Sequence, residues 1–394
     1  MVARNYLAVK ENDCVTACSA ARIGKTAIGT RDMAEAAVDD RQEKFSGTKE
    51  VAENYRFDEK KLEAYLAERI EGFQTPLEVR QFKGGQSNPT YKLITPNRTY
   101  VLRRKPPGKL LPSAHAVDRE YRIISALHPT GFPVAKPYLL CEDESVIGTM
   151  FYVMDCVEGR IYWGPMLPEQ TPKQRTQIYD AMNETFARLH NMDWEKLGLT
   201  DYGKPGNYVG RQVARWTKQY KASETDRIDE MEKLIEWLPQ HLPTDARDSI
   251  VHGDYRLDNM ILHPTEPKVI AVLDWELCTI GDPMADFTYH LMQWQMPGGV
   301  SSGGSLLDAD FAALGIPDKD AYTAAYCRRT GRATTPNMDY YAAYNFFRLA
   351  GILQGIVGRV RDGTAANANA AQNAAGVRPL AERAWHFAQR AGAK

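Results

Sequence analysis

The run His252-Gly253-Asp254-Tyr255-Arg256-Leu257-Asp258-Asn259, followed fifteen residues later by Asp274 at the end of the apolar stretch 269–273, constrains this chain more than any other feature. Phosphoryl transfer from a nucleoside triphosphate needs a carboxylate that accepts the acceptor hydroxyl's proton. It also needs hard ligands that hold Mg²⁺ against the phosphates. An H-x-D-x-x-x-x-N run supplies an Asp for the first task and an Asn for the second, and an Asp closing the next apolar strand adds another metal ligand. Singly, each such residue is more often a turn or a helix cap. Their joint order and spacing reverse that judgement. Asp254 is therefore expected to be the catalytic base, with Asn259 and Asp274 as Mg²⁺ ligands. His252 is expected to hold the loop by hydrogen bonds, Asp282 to cap a helix, and Asp286 to be a buried carboxylate that ties the loop. Asp258 reads as a solvated loop carboxylate, and Glu276 as a weaker candidate for a metal or substrate contact.

The 394 residues suit two or three compact units, and the net charge of −1 gives no reason to expect nucleic acid or membrane as a partner. No apolar run approaches the roughly 20 residues of a membrane span. The N-terminus lacks the apolar core of a signal peptide. Six scattered cysteines without CxxC pairs fit free thiols in a reducing cytoplasm, the expected location. The charge is uneven. From Phe311 onward nine Arg and two Lys face four Asp and one Glu, a balance of +6 that leaves −7 for the remainder.

Residues 1–55 are rich in polar and small side chains and read as a poorly ordered or loosely docked extension. An amphipathic helix is expected over 58–73, with Asp58 near its start. Strand-like runs at 77–82 and 90–94 flank a glycine turn, a third follows at 99–104, a helix at 115–127 and an apolar strand at 151–154. The sequence beyond is mostly helical. These runs describe an α+β chain, with a small β-rich nucleotide-binding N-lobe and hinge over 56–157 and a large, mainly helical catalytic and acceptor-binding C-lobe over 158–394. Arg103 on the third strand and Glu120 on the following helix are expected to pair, as a phosphate-binding cation held by a carboxylate. Ser87, in the glycine turn, lies where backbone N–H groups approach phosphate. Asp155 and Val157 lie where backbone groups would meet adenine.

With those residues in place, the chain from about Arg56 to its C-terminus resembles the aminoglycoside phosphotransferase and choline kinase family of small-molecule kinases. The resemblance implies a protein-kinase-like bilobal fold and the use of ATP and Mg²⁺. It places Asp254 as catalytic base, Asn259 and Asp274 on the metal, Arg103 where the family carries its phosphate-binding Lys, Glu120 as its partner, and Asp155 and Val157 at the adenine-binding hinge. Within the family, segments 82–91, 102–109 and 274–276 are most similar to kinase domains associated with acyl-CoA dehydrogenases. That similarity implies a 4-hydroxyacyl-CoA acceptor in fatty-acid or lactone catabolism and a functional link to such a dehydrogenase. The basic balance after Phe311, with Arg328, Arg329, Arg332, Arg348, Arg359 and Arg361, argues independently against a polycationic acceptor and suits the phosphates of CoA. The rival expectations are an aminoglycoside, choline or other amino-alcohol kinase, and outside enzymes a pseudokinase-type binding module. A protein kinase is disfavoured because no APE-like segment follows Asp274.

Overall fold

The computed structural model describes residues 46–83, 88–108, 115–244, 247–297, 304–335, 337–363 and 370–394. Strands β1 (Thr48–Lys49), β2 (Glu78–Phe82), β3 (Thr90–Ile94), β4 (Thr99–Arg104), β5 (Pro137–Cys141) and β6 (Phe151–Asp155) form one antiparallel sheet in the order β1-β2-β3-β4-β6-β5. Helix α1 (Glu59–Ala67) places Leu62 and Leu66 in a core with Tyr91, Leu93, Tyr100, Leu102, Phe151 and Val153. Helix α2 (Val117–Leu127) packs on the other face, where Tyr152 joins the second core of the molecule.

The two-residue period of a strand decides the fate of adjacent arginines in β4. Arg104 shares the inward side with Tyr100 and Leu102; its guanidinium lies near the rings of Phe57 and Tyr91 and donates to the carbonyls of Tyr55 and Ile147. Arg103 faces the cleft.

Helix α1 ends at Ala67, short of the expected Phe73. Asp58 does cap it, accepting the Lys61 N–H at 3.0 Å, and the chain beyond it turns through Gly72 at φ +75°. Of the expected extension, residues 1–45 lie outside the described residues, and only its last ten residues are seen. Residues 46–55 belong to the sheet lobe: Thr48 and Lys49 pair with Phe82 and Gln81, Val51 is buried, and the Tyr55 carbonyl receives Tyr91 and Arg104. A two-residue strand has no periodicity from which to be recognised.

The second lobe is helical: α3 (Pro172–His190), α4 (Tyr208–Ser223), α5 (Asp229–Trp237), α6 (Pro283–His290), α7 (Phe311–Leu314), α8 (Lys319–Thr330), α9 (Met338–Arg361) and α10 (Ala370–Arg390). Helix α3 starts in polar sequence, where Thr171 and Gln174 form a capping box. Helix α9 is buried along most of its length against α10, α4 and α6, and forms the spine of the lobe. Two small antiparallel ribbons, β7 (Ser249–Val251) with β10 (Thr279–Gly281) and β8 (Met260–Leu262) with β9 (Val269–Val272), lie between α5 and α6 in the chain. Among the described residues no helix is long and apolar enough to cross a membrane. The architecture is the expected bilobal one.

Candidate active site

The chain leaves β7 and turns through His252, Gly253 and Asp254. Asp286, in the first turn of α6, accepts the His252 N–H at 2.6 Å and the Gly253 N–H at 2.9 Å, and His190 Nε2 lies 3.3 Å from its Oδ2. Burial alone would raise the Asp286 pKa; His190, His252 and the loop N–H group outweigh it and hold the carboxyl below its ordinary value. Burial depresses His190, so its imidazole is neutral, donating from Nε2 to Asp286 and accepting the Tyr326 hydroxyl at Nδ1 (2.7 Å). His252 acts as expected: Nε2 donates to the Leu273 carbonyl at 2.9 Å, and Nδ1 accepts the Asp254 N–H at 3.2 Å. Gly253 sits at φ +85°, and a Cβ there would come within 2.8 Å of Leu277 Cβ. The next residue, Tyr255, stacks on Phe186 at 3.9 Å and donates to the Met182 carbonyl, which anchors the loop to α3.

Both oxygens of the Asp254 carboxylate are engaged. Oδ2 accepts from Asn259 Nδ2 at 3.1 Å, Oδ1 accepts from the Tyr289 hydroxyl at 3.4 Å, and Arg256 Nε lies 3.6 Å from Oδ1. Asp254 as a whole is 7% exposed. The β8–β9 register pairs Met260 with Val272, and the Leu273 N–H donates to the Asn259 carbonyl at 2.8 Å. Asn259 and Asp274 thus emerge at the same end of one ribbon. Asp274 takes φ +62°, a left-handed conformation that Asp tolerates better than most residues.

The expected pair forms and extends to this ribbon. Arg103 Nε lies 2.8 Å from Glu120 Oε2, Nη2 lies 2.9 Å from Asp274 Oδ1, and Glu276 Oε2 is 3.8 Å away. Burial would lower the Arg103 pKa, but Glu120 and Asp274 hold it above its ordinary value, so the cation persists. Glu120 is fixed in turn by Asn88 Nδ2 (2.7 Å) and the Tyr152 hydroxyl (3.0 Å). Arg103 also has the geometry that a lysine lacks, one fork touching carboxylates from both lobes.

Other sites fare differently. Ser87 and the rest of the glycine turn lie outside the described residues. Asp155 ends β6, where its carboxylate accepts the Tyr138 hydroxyl at 2.6 Å and its N–H donates to Lys136. Val157 follows on the crossing between lobes, just before Arg160 docks on Leu262 of β8. Asp258 is not a solvated carboxylate: it is largely buried and pairs with Arg256. Of the Arg residues after Phe311, Arg329 pairs with Asp180 and Asn183, and Arg361 with Asp362, so they do not make one basic wall. Arg348 reaches the loop that carries Asp254, with Nη2 3.5 Å from the Gly253 carbonyl. Two residues of the site escaped the sequence: Arg256, visible only as a cation two positions after Asp254, and Tyr289, three residues beyond Asp286 on α6; Arg348 stood out only as one of the basic residues after Phe311.

A family model described as "Phosphotransferase enzyme family" matches residues 78–339. Acyl-CoA dehydrogenase family member 10 of Mus musculus is 45% identical over 346 residues, covering 88% of this chain and 32% of that protein. Acyl-CoA dehydrogenase family member 11 of Homo sapiens is 42% identical over 349 residues, covering 86% and 44%. The chain therefore spans less than half the length of these curated relatives. A solved structure from Ralstonia eutropha, named for the aminoglycoside phosphotransferases, is 53% identical, with TM-score 0.79, and covers 85% of this chain and 99% of that one. Choline kinase from Cryptosporidium parvum shares the fold alone, at 12% identity and TM-score 0.55 over 85% of this chain and 95% of its own. A bilobal fold, a loop carboxylate braced as a base would be, and a match across most of the chain converge: this protein belongs to the phosphotransferase enzyme family, whose members are kinases that transfer phosphate to hydroxyl groups.

Proposed function

We propose that the chain transfers the γ-phosphate of ATP to the hydroxyl of a hydroxyacyl thioester, with 4-hydroxyacyl-CoA as the leading acceptor. The observation that carries the phosphoryl-transfer chemistry is the arrangement around Asp254. A braced carboxylate stands beside Asn259, and the same ribbon presents Asp274 to the Arg103–Glu120 pair. In this reading the acceptor oxygen bonds to the γ-phosphorus, the β–γ bridging bond breaks, the hydroxyl proton passes to Asp254 and ADP leaves. Asp254 acts mainly by orienting the hydroxyl, because a loose transition state asks more for positioning and charge stabilisation than for proton abstraction. Arg103 would meet phosphate oxygens from residues 56–157, with the backbone at Asp155 and Val157 against adenine and Ser87 near the phosphates. The acceptor would lie against residues 158–394.

The donor set fits Mg²⁺. Asn259 spends its amide nitrogen on Asp254, which leaves the amide oxygen for an ion, and Asp274 spends one oxygen on Arg103. Two hard oxygen ligands suit an ion that keeps waters and phosphate oxygens in its shell. When bound, Mg²⁺ would neutralise charge developing on the phosphates. An aminoglycoside phosphotransferase with the same fold has been solved with AMP-PNP and hygromycin B, which supports a nucleotide in the cleft. The names of the dehydrogenase relatives support an acyl-CoA acceptor and a functional link to a dehydrogenase. Asp274→Ala tests the metal assignment. Calorimetry should show ADP affinity that no longer rises on adding Mg²⁺; an undiminished Mg²⁺ response would remove Asp274 from the metal site.

A further inference from the structure

Arg348 projects from α9 to the loop that carries Asp254 and is 8% exposed. Among the described residues it has no carboxylate within ion-pair distance. It makes one hydrogen bond, a long one of 3.5 Å from Nη2 to the Gly253 carbonyl, and its Nε is buried without an acceptor. Its guanidinium lies 4.8 Å from the centre of the Tyr289 ring, whose hydroxyl donates to Asp254. One turn earlier on α9, the Tyr344 hydroxyl is also buried without a partner. A cation removed from water is costly unless an anion or several acceptors replace its hydration. Elsewhere among the described residues that condition is met: the partly buried Arg103 and Arg256 each contact two or more carboxylates, and the buried Arg104 and Arg175 donate to two and three backbone carbonyls. Among the described arginines buried to this degree Arg348, with its single long hydrogen bond, is the exception, and it stands beside the proposed base.

We infer that Arg348 is a specificity-determining residue that binds the acyl oxygen of the acceptor and thereby sets the acceptor hydroxyl on Asp254. This rests on the proposed function and narrows it. The acceptor must carry an oxygen acceptor or anion a few bonds from its hydroxyl, whereas a cationic amino alcohol would be repelled. A guanidinium presents several N–H groups in one plane, so it can receive a thioester carbonyl or a free carboxylate. The 4.8 Å contact with Tyr289 keeps that plane in place against the loop.

The test measures KM and kcat for 4-hydroxyvaleryl-CoA and for 4-hydroxyvalerate in the parent, Arg348→Met and Arg348→Lys. ADP binding by calorimetry serves as the check on the fold. Arg348→Met should raise KM for the acyl acceptors ~10-fold or more with a smaller change in kcat, and Arg348→Lys should recover part of that loss. A larger effect on the free acid than on the thioester would assign the ligand oxygen to a carboxylate; the reverse would assign it to the thioester. An unchanged KM, or a fall in kcat alone, would overturn the inference and leave Arg348 as a brace of the loop. If Arg348→Met loses ADP binding, Arg348→Lys decides by the same KM criterion. A parent enzyme that ignores both acyl acceptors removes the proposed function itself, and with it this role. Turnover with an unmoved KM removes only the role of Arg348.

Discussion

Replacing Asp254 with Ala is expected to lower turnover at least ~10²-fold, about 2.7 kcal/mol of transition-state stabilisation, while ADP binding is largely retained. The expectation follows from what the side chain does in the fold. Its oxygens are held by Asn259, Tyr289 and Arg256 and its own N–H by His252, whereas Arg103, Glu120 and Asp274 are tied to one another. Removing the carboxylate should therefore leave the Arg103–Glu120–Asp274 network intact. Steady-state kinetics with calorimetry on the same preparation separates the two effects. Near-parental turnover in Asp254→Ala would show that the base lies elsewhere.

Asp286→Ala should be the most damaging substitution for stability. The carboxylate satisfies two loop N–H groups and a buried imidazole within 3.3 Å, and it is almost fully buried. Its loss would leave those donors unpaired where water does not reach, at a cost of about 3–5 kcal/mol, by analogy with broken buried charge pairs. In a chain of this length that corresponds to a melting temperature lower by about 5 °C. Activity should fall as well, because His252 and Gly253 immediately precede Asp254. Asp286→Asn keeps the volume and one acceptor but turns an amide N–H toward a donor, so it should lie between parent and Ala. A melting temperature unchanged in Asp286→Ala would contradict the tethering role.

Much of this site was legible because its residues sit close together in the chain. Asp254 and Asn259 share one loop, and Asp274 closes the ribbon that Asn259 opens, so spacing alone places them at one end. Arg103 and Glu120 were legible for a related reason: a strand period and a helix period each present one charged residue to the same cleft. The period argument also separates Arg103 from its neighbour Arg104, which the sheet turns into the core. What escaped was tertiary. Asp258 looked solvated because the arginine that covers it is its near neighbour Arg256, and nothing in the spacing says that they fold onto each other. Arg348 arrives from α9, far along the chain, inside a helix whose apolar run reads as core. The basic balance after Phe311 pointed toward that region, but most of its charge is spent in local pairs.

In the proposed reaction an acyl-bearing alcohol is the acceptor and ATP the donor. ADP release by the purified protein with ATP and Mg²⁺ tests it directly, comparing 4-hydroxyvaleryl-CoA, 4-hydroxyvalerate, choline and kanamycin. The account predicts turnover with the thioester and none with the two cationic acceptors. Turnover with choline or kanamycin in place of the thioester would contradict it.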